Sequence, residues 1–125
     1  MKLKITIFSA LLLFMPLTTV SAELLTQEEF NKDVKMRIFV IEHLNDTISE
    51  KKAESNRTGA IQTFCFYNTA VEGLRDSAID NIDLAGATSA LKLAAIKLQR
   101  INEIFEKEGT SYYEICKGPR SIWNE

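Results

Sequence analysis

The chain has 125 residues with 15 Lys+Arg, 17 Asp+Glu and one His, a formal net charge of -2 at pH 7. That length supports one domain with a modest core and is too short for two. The acidic balance argues against a nucleic-acid partner, which is held by Lys and Arg neutralising phosphates, and against an anionic membrane surface.

Lys2 and Lys4 precede an almost wholly apolar run from Ile5 to Met15; Pro16 and a polar stretch then lead to Val20-Ser21-Ala22. A charged start, a short apolar run and a small-residue site are the three parts of a secretory signal peptide. Residues 1–22 are therefore expected to be a cleaved signal of bacterial type, and residues 23–125 a single helical domain working in the periplasm or beyond the cell. The apolar run falls short of the about 20 residues that a membrane-spanning helix needs, so no membrane association is expected once the signal is gone. Both lysines leave with the signal and no acidic residue does, which makes the mature surface more acidic than the whole chain.

Cys65 and Cys116 are the only cysteines. In an exported chain an even pair is expected to form a disulfide. A metal pair or a reactive thiol would call for Cys-x-x-Cys spacing or a neighbouring His, and the sequence has neither.

Helix signals cover most of the remainder. Thr26 followed by Glu29 is a capping box, with Leu25 and Phe30 as its hydrophobic staple. From there Phe30, Val34, Ile38, Ile41, Leu44 and Ile48 recur at spacings of three and four, predicting an amphipathic helix over about 27–50. The run Ile38-Phe39-Val40-Ile41 is wider than one stripe, so part of this helix is expected to be buried twice or offered to a partner. The polar cluster Ser55-Asn56-Arg57-Thr58-Gly59 reads as a connection with a fresh N-cap. A second helix follows to about Asp80 on the face Ala60, Phe64, Tyr67, Val71, Leu74, Ala78, with Cys65 beside it; Gly73 in its middle points to a close contact or a bend. Asp83 is the expected N-cap of a third helix carrying Leu84, Ala87, Leu91, Ala94, Leu98, Ile101 and Phe105, stopped by Gly109. Ser111 and Glu114 repeat the capping-box spacing and Gly118-Pro119 is a stop, so Tyr112 to Lys117 reads as a short fourth helix that a Cys65 to Cys116 bond would clamp to the second. The fold expected is all-α: an antiparallel bundle of three long helices plus a short disulfide-tethered C-terminal helix.

Chemistry-bearing constellations are sparse. His43 is the single available imidazole base, and no Gly-x-Ser-x-Gly elbow is present. Haem attachment through Cys-x-x-Cys-His is absent, and Met36 and His43, seven residues apart, lie on one side of one helix, where they cannot grip an iron from opposite faces. Asp76, Asp80 and Asp83 lack the glycine loop and trailing Glu of an EF-hand and read as caps and solvated groups. Asn45-Asp46-Thr47 and Asn56-Arg57-Thr58 match the glycosylation sequon, a coincidental match behind a bacterial-type signal. No catalytic residue, metal or cofactor is expected.

The aromatic residues Phe64, Phe66, Tyr67, Tyr112, Tyr113 and Trp123 are expected to gather around the disulfide, either filling the core edge or forming a recognition patch, since Tyr, Trp and Arg dominate interface hot spots. Tyr112, Tyr113, Arg120 and Trp123 are the candidate partner-binding residues. The leading expectation is a periplasmic binding or inhibitor module whose partner is another protein. In export, size, helicity and its single disulfide the chain is similar to small helical immunity proteins that neutralise cell-wall-degrading toxins, a likeness of plan with no shared motif. In the same plan it is similar to small acid-activated periplasmic chaperones, the second reading; an unrecognised enzyme centred on His43 is the third. Phe39, Val40, Leu93 and Ile96 widen the apolar stripes and are expected either to form a two-fold homodimer contact or to be wrapped by the short helix.

Overall fold

A computed structural model of the chain describes residues 24–124. The signal-peptide reading of residues 1–22 lies outside the described residues. Three long helices make up the body, α1 (Gln27–Ala53), α2 (Arg57–Asp80) and α3 (Ala87–Lys107), followed by a π-helical turn (Tyr113–Lys117) and a 3-10 turn (Ile122–Asn124). They form the antiparallel bundle expected, with no strand among the described residues.

The local chemistry of each helix end explains its position. At the start of α1 both halves of the capping box are present: the Thr26 hydroxyl accepts from Glu29 N and the Glu29 carboxylate accepts from Thr26 N. The helix runs one turn past the expected end, with Lys51 and Lys52 set against the negative end of its dipole. It closes with Ser55 at φ 58°, while Asn56 N donates to Lys51 O and Ser55 N to Lys52 O, the paired bonds of a Schellman stop. Asn56 then caps α2, its side-chain oxygen accepting from Gly59 N at 2.9 Å. Gly109, at φ 70°, ends α3 by the same device, with Thr110 N donating to Phe105 O and Gly109 N to Glu106 O.

The start of α3 departs from expectation. Asp83 does not cap it; the cap is Gly86 at φ 86°, and α3 begins at Ala87. Leu84, expected inside the helix, is in the preceding turn, where its N–H donates to Asn81 O. A residue 58 positions away sets this outcome: the Gln27 amide donates to Ala85 O at 3.0 Å and accepts from Ala85 N at 2.9 Å, holding residue 85 out of the helix. Beside it the buried Asn81 accepts from Leu25 N and donates to Ser77 O, so this end of the bundle is tied by side-chain amides.

Helix α2 is central. α1 and α3 each pack along it and make little contact with one another. Its predicted face is the one buried: Ala60, Val71, Leu74 and Ala78 are closed off from water, and Phe64 and Tyr67 pack against the same core. Phe30, Ile41 and Ile48 from α1 and Ala87, Ala90, Ala94, Ile101 and Phe105 from α3 complete the set of buried apolar residues on the facing helices. Gly73 marks a close approach: a Cβ there would lie 2.7 Å from Arg37 Nη1, so the guanidinium of α1 lies against α2 at this position.

The C-terminal piece is the short tethered helix expected, wound as a single π turn. Gly118 N reaches back five residues to Tyr113 O at 2.6 Å, and Tyr112, itself in the right-handed helical conformation, leads into the turn. Cys116 in this turn is bonded to Cys65 on α2, a separation of 51 residues along the chain. The turn and the 3-10 turn behind it both pack on α2. They do not wrap the wide apolar stripes of α1 and α3: Phe39, Val40, Leu93 and Ile96 stay exposed, which overturns that alternative.

Candidate functional site

Residues two apart on α2 point to nearly opposite sides of the bundle, because an α-helix advances about 100° per residue. Phe64 and Tyr67 face the space between α1 and α3. Cys65, Phe66 and Thr69 lie on the far side and carry the C-terminal segment: Cys65 through the disulfide, Phe66 through its ring and Thr69 through its hydroxyl. Two distinct surfaces result.

On the C-terminal side the four candidate partner-binding residues divide. Tyr112 turns inward, its ring tilted against Phe105 at 6.3 Å between centroids and its hydroxyl 3.3 Å from Thr69 Oγ1. Tyr113, Arg120 and Trp123 are exposed. Trp123 packs on Phe66, with ring centroids 5.3 Å apart. The pair remains open to solvent on its outer side, Phe66 at 55 % and Trp123 at 45 % exposure. The backbone behind Trp123 is tightly bonded. Ser121 N donates to Gly118 O, Asn124 N to Ser121 O, and the Asn124 amide to Gly118 O and Pro119 O. The aromatic residues therefore form two groups rather than one. Phe64, Tyr67, Phe105 and Tyr112 make a connected core edge, with Phe64 edge-on to Phe105 at 5.2 Å, while Phe66 and Trp123 stand outside it. Phe66, expected among the aromatic residues near the disulfide, was not among the four candidate partner-binding residues. Its signal was its position, one residue off the Phe64-Tyr67-Val71 stripe and next to Cys65.

No protein-family model, curated protein or solved structure matches this chain.

On the other side α1 and α3 flank a groove of about 520 Å³ floored by Phe64 and Tyr67. Glu42 and Asp46 line its α1 wall, and Lys97 and Arg100 its α3 wall. A second groove, of about 570 Å³, runs between α1 and α2 past Asp33, Arg37 and Ser77. Here Asp33 Oδ2 accepts from Arg37 Nε at 2.9 Å and from Ser77 Oγ at 2.6 Å, joining α1 to α2. Partial burial acts to raise the Asp33 carboxyl, but the Ser77 and Arg37 hydrogen bonds and the Arg37 charge outweigh it and hold the group below its ordinary 3.8. A carboxyl lowered on folding stabilises the native state fully above its unfolded pKa, and that contribution is lost as pH falls through the folded value. Urea midpoints measured from pH 6 down to pH 2 are therefore expected to fall more steeply below about pH 4 in the wild type than in Asp33→Asn. Parallel curves would show that the carboxyl titrates alike in both states.

His43 is exposed and borders neither groove. Asp76 is bonded to the neighbouring Arg75, and Asp83 is exposed in the turn before α3. Among the described residues no three His, Cys, Asp or Glu side chains are grouped to hold a metal ion, and no helix is long and apolar enough to cross a membrane. A disulfide between the only two cysteines suits an oxidising compartment.

Proposed function

We propose that this is an exported periplasmic protein-binding module of the inhibitor or immunity kind, which grips another protein with its disulfide-clamped C-terminal flank. The observation that carries the reading is the solvent-open Phe66–Trp123 pair on a segment whose backbone is already ordered. Large aromatic surface contributes most to an interface when it costs little entropy to immobilise. Here the covalent bond at Cys116, the bonds closing Gly118 to Ser121 and the Asn124 amide have removed that freedom before a partner arrives. Tyr113 and Arg120, exposed on the same segment, extend the patch with residue types that recur at hot spots. The signal-like N-terminus and the disulfide both support a site of action outside the cytosol.

A photo-reactive amino acid placed at residue 123 or 120 in the exporting cell tests this. One discrete adduct is expected at these positions and none at residue 83, an exposed position in the turn before α3. The adduct formed from residue 120 is expected to weaken by about tenfold or more when Phe66→Ala removes the ring under Trp123. Adducts of equal yield at all three positions, or none at the flank under several growth conditions, overturn the reading.

A further inference from the structure

We propose that the open α1/α3 face is the contact surface of a two-fold homodimer of this chain. The proposal is independent of the C-terminal flank, which lies on the opposite side of α2.

The first observation is the distribution of charge. Glu42 and Asp46 on one wall of the groove lie level with Lys97 and Arg100 on the other. Within the described residues none of the four takes part in an ion pair. Because α1 and α3 each run antiparallel to α2, they run parallel to one another. A two-fold axis lying in the contact plane along the helices then sets α1 of one copy on α3 of the other at the same height. The acidic wall of each copy meets the basic wall of its mate, and symmetry makes the match twice. A two-fold across the helices would instead set α1 on α1, acid against acid, which repulsion disfavours. The charge pattern thus selects both the occupant and the orientation.

The second observation is the apolar rim. Phe39 lies three residues before Glu42 and seven before Asp46, on the same ridge of α1, and is 68 % exposed. Leu93 and Ile96 each lie four residues before a basic residue of the α3 wall, and Ile104 lies four after Arg100; all three are exposed. No described element covers this row, because the C-terminal turns pack on the far side of α2. Apolar side chains interleaved with unpaired opposite charges are what a self-complementary contact requires: area to remove from water, and charges that orient the approach.

Sedimentation equilibrium of the exported, disulfide-bonded protein is the test, with circular dichroism confirming that each variant is folded. The wild type is expected to dimerise in the micromolar range and to weaken as salt rises. Glu42→Lys with Asp46→Lys makes both walls basic, and Lys97→Glu with Arg100→Glu makes both acidic, so each double variant alone is expected to be monomeric. An equal mixture is expected to recover a dimer containing one copy of each, seen by native mass spectrometry. Phe39→Ala, at a solvent-exposed position, is expected to weaken the wild-type dimer by about tenfold or more. A wild type that stays monomeric to millimolar concentration, double variants that dimerise as well as the wild type, or a mixture that stays monomeric overturns the proposal.

Discussion

Replacing both cysteines, Cys65→Ala with Cys116→Ala, is expected to lower the unfolding free energy by about 4 kcal/mol, the chain-entropy value for a loop of about 50 residues. Most of that effect arises in the unfolded chain, which regains the freedom to separate α2 from the C-terminus across a 51-residue interval. Against the 5–15 kcal/mol typical of a whole domain, a loss of about this size brings the protein near the edge of folding at body temperature. The native state changes too. The π turn spans five residues and the 3-10 turn three, too few to persist as helices unaided. Without the bond, the Tyr112 contacts with Phe105 and Thr69 and the Phe66–Trp123 stack have to hold the segment alone. Trp123 is the sole tryptophan, so its emission reports the flank directly. The expected result is a lower urea midpoint together with a red-shifted native spectrum. A loss under about 1 kcal/mol with unchanged emission would show that side-chain packing holds the segment without the bond. The preorganisation behind the proposed binding role would then have another source.

Leu74→Ala is expected to cost about 3–5 kcal/mol, the upper part of the range for emptying a buried leucine site. Leu74 is fully closed to solvent on the one helix that both neighbours pack against. A cavity at such a position opens onto no solvent, because Leu74 lies inside the buried cluster with Ile41, Val71, Ala78 and Ala94. The comparison that makes the result informative is Phe39→Ala in dilute protein. It removes a larger ring from the surface of α1, yet is expected to change stability by less than about 0.5 kcal/mol, because little of that ring leaves water on folding of one copy. Urea denaturation with an unchanged denaturant slope checks both. Equal losses for the two would mean that the α1/α3 face is as much a part of the monomer core as the α2 seam.

Local chemistry was legible in the sequence wherever its cause lay within a few residues. The Thr26–Glu29 box, the cap within the polar cluster 55–59, which is Asn56, and the Gly109 stop are short-range hydrogen-bonding devices, and each appears in the stretch where residue type places it. The apolar stripes of all three helices are equally local, since helical periodicity alone decides which residues share a face. Pairing of the two cysteines followed from their number and the expected compartment. Tertiary structure decided what depended on distant partners. Asp83 is chemically suited to cap α3, but Gln27, 58 residues away, holds Ala85 and delays the helix to Ala87. Periodicity showed that Phe39 and Ile96 lie outside the main stripes. Whether a neighbour covers them depends on how far α1 and α3 stand apart, a quantity no single helix encodes. The split of the aromatic residues has the same origin. Phe64 and Phe66, two residues apart, differ only in helical phase, and what lies beyond each, a groove floor or the Trp123 ring, was decided by where the disulfide draws the C-terminus.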